Sequence, residues 1–232
     1  MCLAKRFVLM AIVQVGIAAV AIAQFEGIVE SKNLTTDETG DPKEFIMTML
    51  IKKDMVKIHT TAMGATPAFT MIYRNDKQLV WMLNDDDKTF FEIPRESGVE
   101  RVQPPSGGED KSVPKPTKTG KSKKILGYSC SQFVFKRPGE ETNIWATKDL
   151  GNLFNAISKA LGEEPGESPY DWTSELTKMG YFPLISSTKI DGAVVESQEV
   201  TKIEKKMLSE ELFALPSGYQ RRGVDEMINE GQ

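Results

Sequence analysis

From Gln24 to Pro94, apolar and polar residues alternate in short runs. Phe25, Gly27 and Val29 share one side of the first run (25–31), with Glu26 and Glu30 on the other. In the second (45–51), Phe45, Met47, Met49 and Ile51 line one face. In the third (55–60), Val56 and Ile58 oppose Lys57 and His59. A period of two sends successive side chains to opposite faces of a strand. Runs at 69–74, 78–83 and 89–94 follow, divided by the short polar junctions Lys52-Lys53-Asp54, Arg74-Asn75-Asp76-Lys77 and Asn84-Asp85-Asp86-Asp87-Lys88. Short polar junctions between alternating runs predict hairpins, so these six strands form an antiparallel meander.

Residues 95–124 break the rhythm with Pro104-Pro105, Gly107-Gly108, Pro114, Pro116 and Gly120, and read as a flexible connection. Six lysines and no acid lie between Lys111 and Lys124, a solvated loop or a basic docking patch. Strands resume at 124–126, 129–136 and 141–148, the last two turning at Arg137-Pro138-Gly139-Glu140. Two helices then interrupt the sheet. Asp149 caps the first, whose stripe is Leu150, Leu153, Phe154, Ile157 and Leu161, and Gly162 ends it. Ser168 caps the second, with Trp172, Leu176 and Met179 on its apolar side and Gly180 as its stop. Strands at 182–190 and 193–206 turn at Asp191-Gly192, and a short helix at 209–214 precedes the turn Leu215-Pro216-Ser217-Gly218-Tyr219. The pattern predicts a mainly β (α+β) fold: one antiparallel sheet with two or three helices against it. The sheet domain spans 24–222, with a polar tail at 223–232.

The first residues have another character. Lys5 and Arg6 precede an apolar run from Phe7 to Ala23, closed by the small residues Ala18, Ala19, Ala21 and Ala23. A basic start, an apolar centre and an A-x-A end make a secretory signal over residues 1–23, cut between Ala23 and Gln24, with a second frame two residues earlier. Read as an uncleaved anchor, the run's 17 residues would sit at the bottom of the spanning range. Cleavage implies a periplasmic or secreted protein with no transmembrane span. It also changes the charge: the full chain has 29 basic and 33 acidic residues, and losing Lys5 and Arg6 takes the net from -4 to -6. So even a balance, tilted to acid, does not suit a protein that binds nucleic acid through a basic surface.

Cleavage also removes Cys2, leaving Cys130 unable to form an internal disulfide. Its strand setting suits a half-buried structural thiol better than a reactive one. One His and one Cys cannot build a four-ligand His/Cys zinc site. His59, the only imidazole, has no acid beside it in sequence and reads as an exposed strand residue. Gly127-Tyr128-Ser129-Cys130-Ser131 misses G-x-S-x-G at its last position. The stretch from Lys115 to Ser122 ends like a phosphate-binding loop but has Lys where the motif needs its first Gly. Asp85-Asp86-Asp87 lacks the Gly and Glu of a calcium loop and reads as a hairpin turn. No catalytic, metal or cofactor-binding residue is assigned, and the chain is read as a non-enzyme.

The positive feature is methionine. Nine of the 11 methionines lie beyond the signal, and Met47, Met49, Met55, Met71 and Met82 fall in the first meander with Phe69, Tyr73, Trp81, Phe90 and Phe91. Several strands are apolar on both faces: Ile46 and Leu50 oppose Met47 and Met49, and Val80 and Met82 oppose Trp81 and Leu83. A sheet covered on one side only does not carry such strands. Either helices cover the second face or it lines a cavity for an apolar ligand, for which methionine and aromatics are suited.

Phe25-Glu26-Gly27-Ile28-Val29-Glu30, Met47-Thr48-Met49, Ile125-Leu126-Gly127-Tyr128-Ser129-Cys130, Trp145-Ala146-Thr147-Lys148 before Leu150-Gly151, Phe182-Pro183-Leu184, and the ending with Leu212-Phe213, Leu215-Pro216 and Gly218-Tyr219 occur in a characteristic order. In that order they resemble a bacterial exported family, domain of unknown function 4412, over nearly all of the chain beyond the signal. The resemblance implies a fold similar to the outer-membrane lipoprotein carriers, a curved half-open β-barrel with helices over its concave side. It also implies a periplasmic setting and a hydrophobic ligand, and it carries over no catalytic residue. The expected function is binding of a lipid or acyl chain, with Met47, Met49, Met71, Trp81, Phe154 and Trp172 as lining residues. The competing expectation is an envelope interaction protein with a filled core that docks a protein partner.

Overall fold

The computed structural model describes residues 25–37, 39–62, 68–95, 115–150, 153, 156–157 and 171–223. Its strands are β1 (Gly27–Thr36), β2 (Pro42–Lys52), β3 (Met55–Ala62), β4 (Phe69–Arg74), β5 (Leu79–Asn84), β6 (Thr89–Pro94), β7 (Thr117–Ile125), β8 (Tyr128–Arg137), β9 (Glu140–Thr147), β10 (Phe182–Ile190), β11 (Ala193–Lys205) and β12 (Gln220–Arg222). The α-helix α1 (Asp171–Lys178) and two 3-10 turns at Asn75–Lys77 and Glu210–Phe213 accompany them among the described residues. All twelve strands join one curved open sheet in the order β12-β6-β5-β4-β3-β2-β1-β11-β10-β9-β8-β7. Two antiparallel meanders, β1 to β6 and β7 to β11, are thus joined through the long β1–β11 ladder. The short β12 adds in parallel to β6.

The expected turns form. Lys53 and Asp54 link β2 to β3, Pro138 and Gly139 link β8 to β9, and Asp191 and Gly192 link β10 to β11. Gly180 ends α1 as expected, with φ +73°. The Tyr181 N–H donates to the Leu176 carbonyl at 2.9 Å and the Gly180 N–H to the Thr177 carbonyl at 2.9 Å, a left-handed cap that a residue without Cβ adopts at low cost.

Register assigns the faces, because directly opposed residues point the same way. Val29, Ile51 and Val56 define one face of the first meander, and Ile28, Met55, Ile72, Trp81, Leu83 and Phe90 the other. On the first face Val29, Ile51 and Val56 cluster with Leu150, Leu153, Ala156, Phe182, Leu184 and Val200; Leu153, Ala156 and Ile157 are helical. We call this the helix-side face. On the opposite face Met55, Ile72, Trp81, Leu83 and Phe90 pack under Leu208 and Phe213, flanked by Leu215 and Tyr219. A third cluster sits under α1, where Leu176, Tyr181 and Trp172 meet Phe133, Phe135, Ile144 and Ala146.

Some expectations change and one lies partly outside the described residues. The stretch read as flexible through Lys124 carries a strand from Thr117, because pairing to β8 organises residues whose own composition is loop-like. Of the two or three helices, the described residues give α1 and the helical Leu153, Ala156 and Ile157; the rest of the helix expected at 149–162 lies outside them. The short element at 209–214 forms as a 3-10 turn, and it covers the face opposite those helical residues. Met179, expected on the buried side of the second helix, lies past its end and is 41% exposed.

Candidate functional site

The first meander carries a continuous apolar row on the helix-side face. Val29 pairs with Met49, Met49 with Ile58, Ile58 with Met71, Met71 with Met82, and Met82 with Phe91. A neighbouring row runs Ile51, Val56, Tyr73, Val80 and Ile93 through the same ladders. Burial changes along both. Toward β1 to β3 the side chains are buried or packed against the core that includes Leu150, Leu153 and Ala156. Toward β4 to β6, Met71, Met82, Val80 and Ile93 are half-buried and belong to none of the three clusters, as does Met47 on β2. Phe69, on the same face, is 39% exposed. The Tyr73 hydroxyl reaches the Met71 Sδ at 3.6 Å, and the Arg222 guanidinium lies 5.5 Å from the Phe91 ring centre. The result is a methionine-rich apolar strip bordered by aromatic rings and, at the β6 edge, by a cation.

The six residues expected to line a pocket therefore separate. Met47, Met49 and Met71 share the helix-side face. Trp81 does not. It opposes Ile72 and Glu92, and it is buried on the other face, where its indole N–H donates to Glu92 Oε2 at 3.0 Å. Single-residue alternation puts Trp81 and its neighbours Val80 and Met82 on opposite sides. Trp172 belongs to the cluster under α1, 6.4 Å from the Phe135 ring, in the second meander. Phe154 lies outside the described residues. Ile58, Met82 and Phe91 complete the strip in their place. Their signal was present in the sequence, since tight turns set hairpin register and register extends the Met49 row strand by strand.

The opposite face holds a polar chain. The Tyr219 hydroxyl donates a short hydrogen bond to Asp85, and the Thr70 hydroxyl donates to the other Asp85 oxygen at 3.0 Å. His59 Nδ1 lies 2.9 Å from that Thr70 hydroxyl, whose single proton is committed to Asp85, so Nδ1–H is the donor. Desolvation acts to raise the Asp85 carboxyl, but the hydrogen bonds from Tyr219 and Thr70, with the charges of His59 and Lys88, outweigh it and hold the group below the usual carboxylate range. The same bond to Asp85 pushes the Tyr219 phenol up to about 12. His59 is thus a half-buried, hydrogen-bonded residue and not a freely exposed one. The chain ties residue 219 back onto the β3–β4 strands and the β5–β6 turn. Cys130 is free and buried, and burial pushes its thiol up, away from the reactive thiolate. Among the described residues no group of three His, Cys, Asp or Glu side chains is placed to hold a metal ion, and no helix is long and apolar enough to cross a membrane.

Fold and strip define an open antiparallel sheet protein with an apolar, methionine-rich face. The chain belongs to the family described as domain of unknown function DUF4412, whose model matches residues 25–219. Comparison with curated proteins gives no match. Among solved structures the chain is similar to an uncharacterized conserved protein from Thermus thermophilus, at 11% identity and TM-score 0.44, covering 85% of this chain and 91% of that one. It is also similar to a LolA superfamily protein from Nitrosomonas europaea, at 8% identity and TM-score 0.35, covering 82% and 90%. A third similarity is to PNGF-II, at 13% identity and TM-score 0.38, covering 88% of this chain and 32% of that one.

Proposed function

We propose that this is an exported, non-enzymatic protein of the periplasm or the secreted space that holds a lipid or acyl chain on the helix-side face of its sheet. The observation that supports this reading is the strip Met47, Met71, Met82, Val80 and Ile93, half-buried beside a filled core. A contiguous apolar surface that the core does not use is the usual mark of a binding site. Flexible thioether side chains adapt to ligands without a fixed shape, as acyl chains are. The start at residues 1–23, basic then apolar then small, supports export.

The test is native mass spectrometry and lipid extraction on protein purified from the periplasm. A co-purifying lipid, lost in Met71→Asp and Met82→Asp variants that keep the wild-type circular dichroism, is the expected result. Lipid-free protein whose melting temperature ignores added fatty acid would overturn it and leave the reading of an envelope protein that docks a protein partner.

A further inference from the structure

Strand β7 is the outer edge of the second meander, and every residue from Thr117 to Lys124 is exposed. It carries Lys118, Lys121, Lys123 and Lys124. Several lysines on other strands are paired with acids: Lys43 with Asp37, Lys52 with Glu26, Lys136 with Glu141 and Lys202 with Glu30 and Glu204. Among the described residues the four β7 ammonium groups have no carboxylate partner, nor has Lys148, although the chain carries an excess of acid. Aromatic rings hold three of them instead. Lys123 lies 4.3 Å from the Trp145 ring centre, and Lys118 and Lys148 lie 5.7 and 5.1 Å from that of Tyr181. Two cations gathered over one ring repel each other, and a negative surface relieves that repulsion.

At the end of the same hairpin the charge pattern changes. Leu126 occupies the turn between β7 and β8 with φ +50° and is 45% exposed, directly after Lys123, Lys124 and Ile125. An apolar residue at a projecting tip, with unpaired lysines behind it, has the arrangement of a segment that rests on a bilayer. The tip enters the headgroup boundary while the lysines meet lipid phosphates.

We infer that the β7–β8 hairpin docks the protein on an acidic phospholipid surface, with Leu126 entering the interface and Lys118, Lys121, Lys123, Lys124 and Lys148 supplying the attraction. The acidic remainder of the molecule is repelled by that surface, which orients the protein hairpin-first. The inference stands apart from the ligand strip, which lies in the other meander.

The test is co-sedimentation of the protein, without residues 1–23, with vesicles of phosphatidylcholine alone or containing phosphatidylglycerol. Binding is expected only with phosphatidylglycerol, falling steeply between 50 and 500 mM salt, conditions spanning roughly threefold in screening length. Each Lys→Gln change on β7 should weaken partitioning about fivefold, and Leu126→Gln should weaken it at unchanged charge. Because these side chains are exposed, melting temperature should not move in the quadruple variant that combines Lys118→Gln, Lys121→Gln, Lys123→Gln and Lys124→Gln; the single K121Q variant serves if the quadruple variant is unstable. Met82→Asp, which removes the strip, should bind vesicles as wild type does, so loss of the ligand reading leaves this result intact. Equal binding to both vesicle types, or full binding by the quadruple variant, would overturn the inference. So would absence of vesicle binding by a protein that retains soluble polyglutamate, which would identify an acidic protein as the partner.

Discussion

Removing one side chain from the C-terminal segment should open one of the three core clusters. Phe213 is fully buried and sits with Leu208 over Met55, Ile72, Trp81, Leu83 and Phe90. Its carbonyl accepts from Arg74 Nη1 at 3.2 Å, and Arg74 is itself held by two hydrogen bonds to Asp76 at 2.8 and 2.6 Å. Phe213→Ala leaves those polar contacts available and deletes only the ring. A buried Phe→Ala change costs about 3–5 kcal/mol, a large part of a domain's whole stability of about 5–15 kcal/mol. At about 2–4 °C per kcal/mol for a chain of this size, the melting temperature should fall by roughly 6–20 °C. Urea denaturation gives the free energy. Acrylamide quenching of tryptophan fluorescence, compared with the same variant carrying Trp81→Phe, reports on the covered face, since Trp81 is only 7% exposed in the intact protein. A loss below about 1 kcal/mol with unchanged Trp81 quenching would show that the segment does not seal this face, and the account of the second core would fail.

The remaining predictions use the same covering and the central ladder. Tyr219→Phe removes the hydrogen bond to Asp85 and should cost about 1.5–3 kcal/mol by urea denaturation at neutral pH. Asp85 is held low in the folded state, so the stability it contributes is present above the ordinary carboxylate range and lost as pH falls through its folded value; Asp85→Asn should flatten the acid limb of the stability curve. The Tyr219 phenol is raised from 10.0 to about 12, so its contribution is complete below pH 10 and lost as pH rises toward 12, a slope that Tyr219→Phe should abolish. Gly27→Ala should destabilise by about 1–3 kcal/mol or more, because an added Cβ would lie 2.0 Å from the Glu204 carbonyl oxygen, backbone that cannot swing aside; an unchanged melting temperature would contradict the close β1–β11 approach.

Strand positions were legible because each is a local property. Alternation over 45–51 and 55–60 states which side chains share a face whatever the strand packs against, and a polar Lys52-Lys53-Asp54 junction leaves little choice but a hairpin. The two-faced apolar character of β5 was equally readable, but whether its second face is covered or left open for a ligand was not. β7 was not legible, since Lys118 to Lys124 has the composition of a solvated loop and becomes a strand only by pairing with β8. Tertiary context overrides weak local preference in this way. The lining set split for a related reason. Met71 and Trp81 both lie in the first meander, yet Met71 pairs with Met82 and Trp81 with Ile72, on opposite faces.

The amino-acid sequence alone determined that the chain makes antiparallel strands with tight turns and that several strands are apolar on both sides. Only the tertiary structure decided what covers each face. Leu208 to Tyr219 reads as a short helix and a turn with no stated partner, yet Phe213 and Tyr219 pack on strands more than a hundred residues earlier, where Tyr219 bonds to Asp85. Hydrophobic burial has no direction and no sequence range, so which apolar faces meet is set by the path of the whole chain. That path fills the Trp81 side with the C-terminal segment and leaves the Met71–Met82 strip half-buried, and the proposed function rests on this asymmetry.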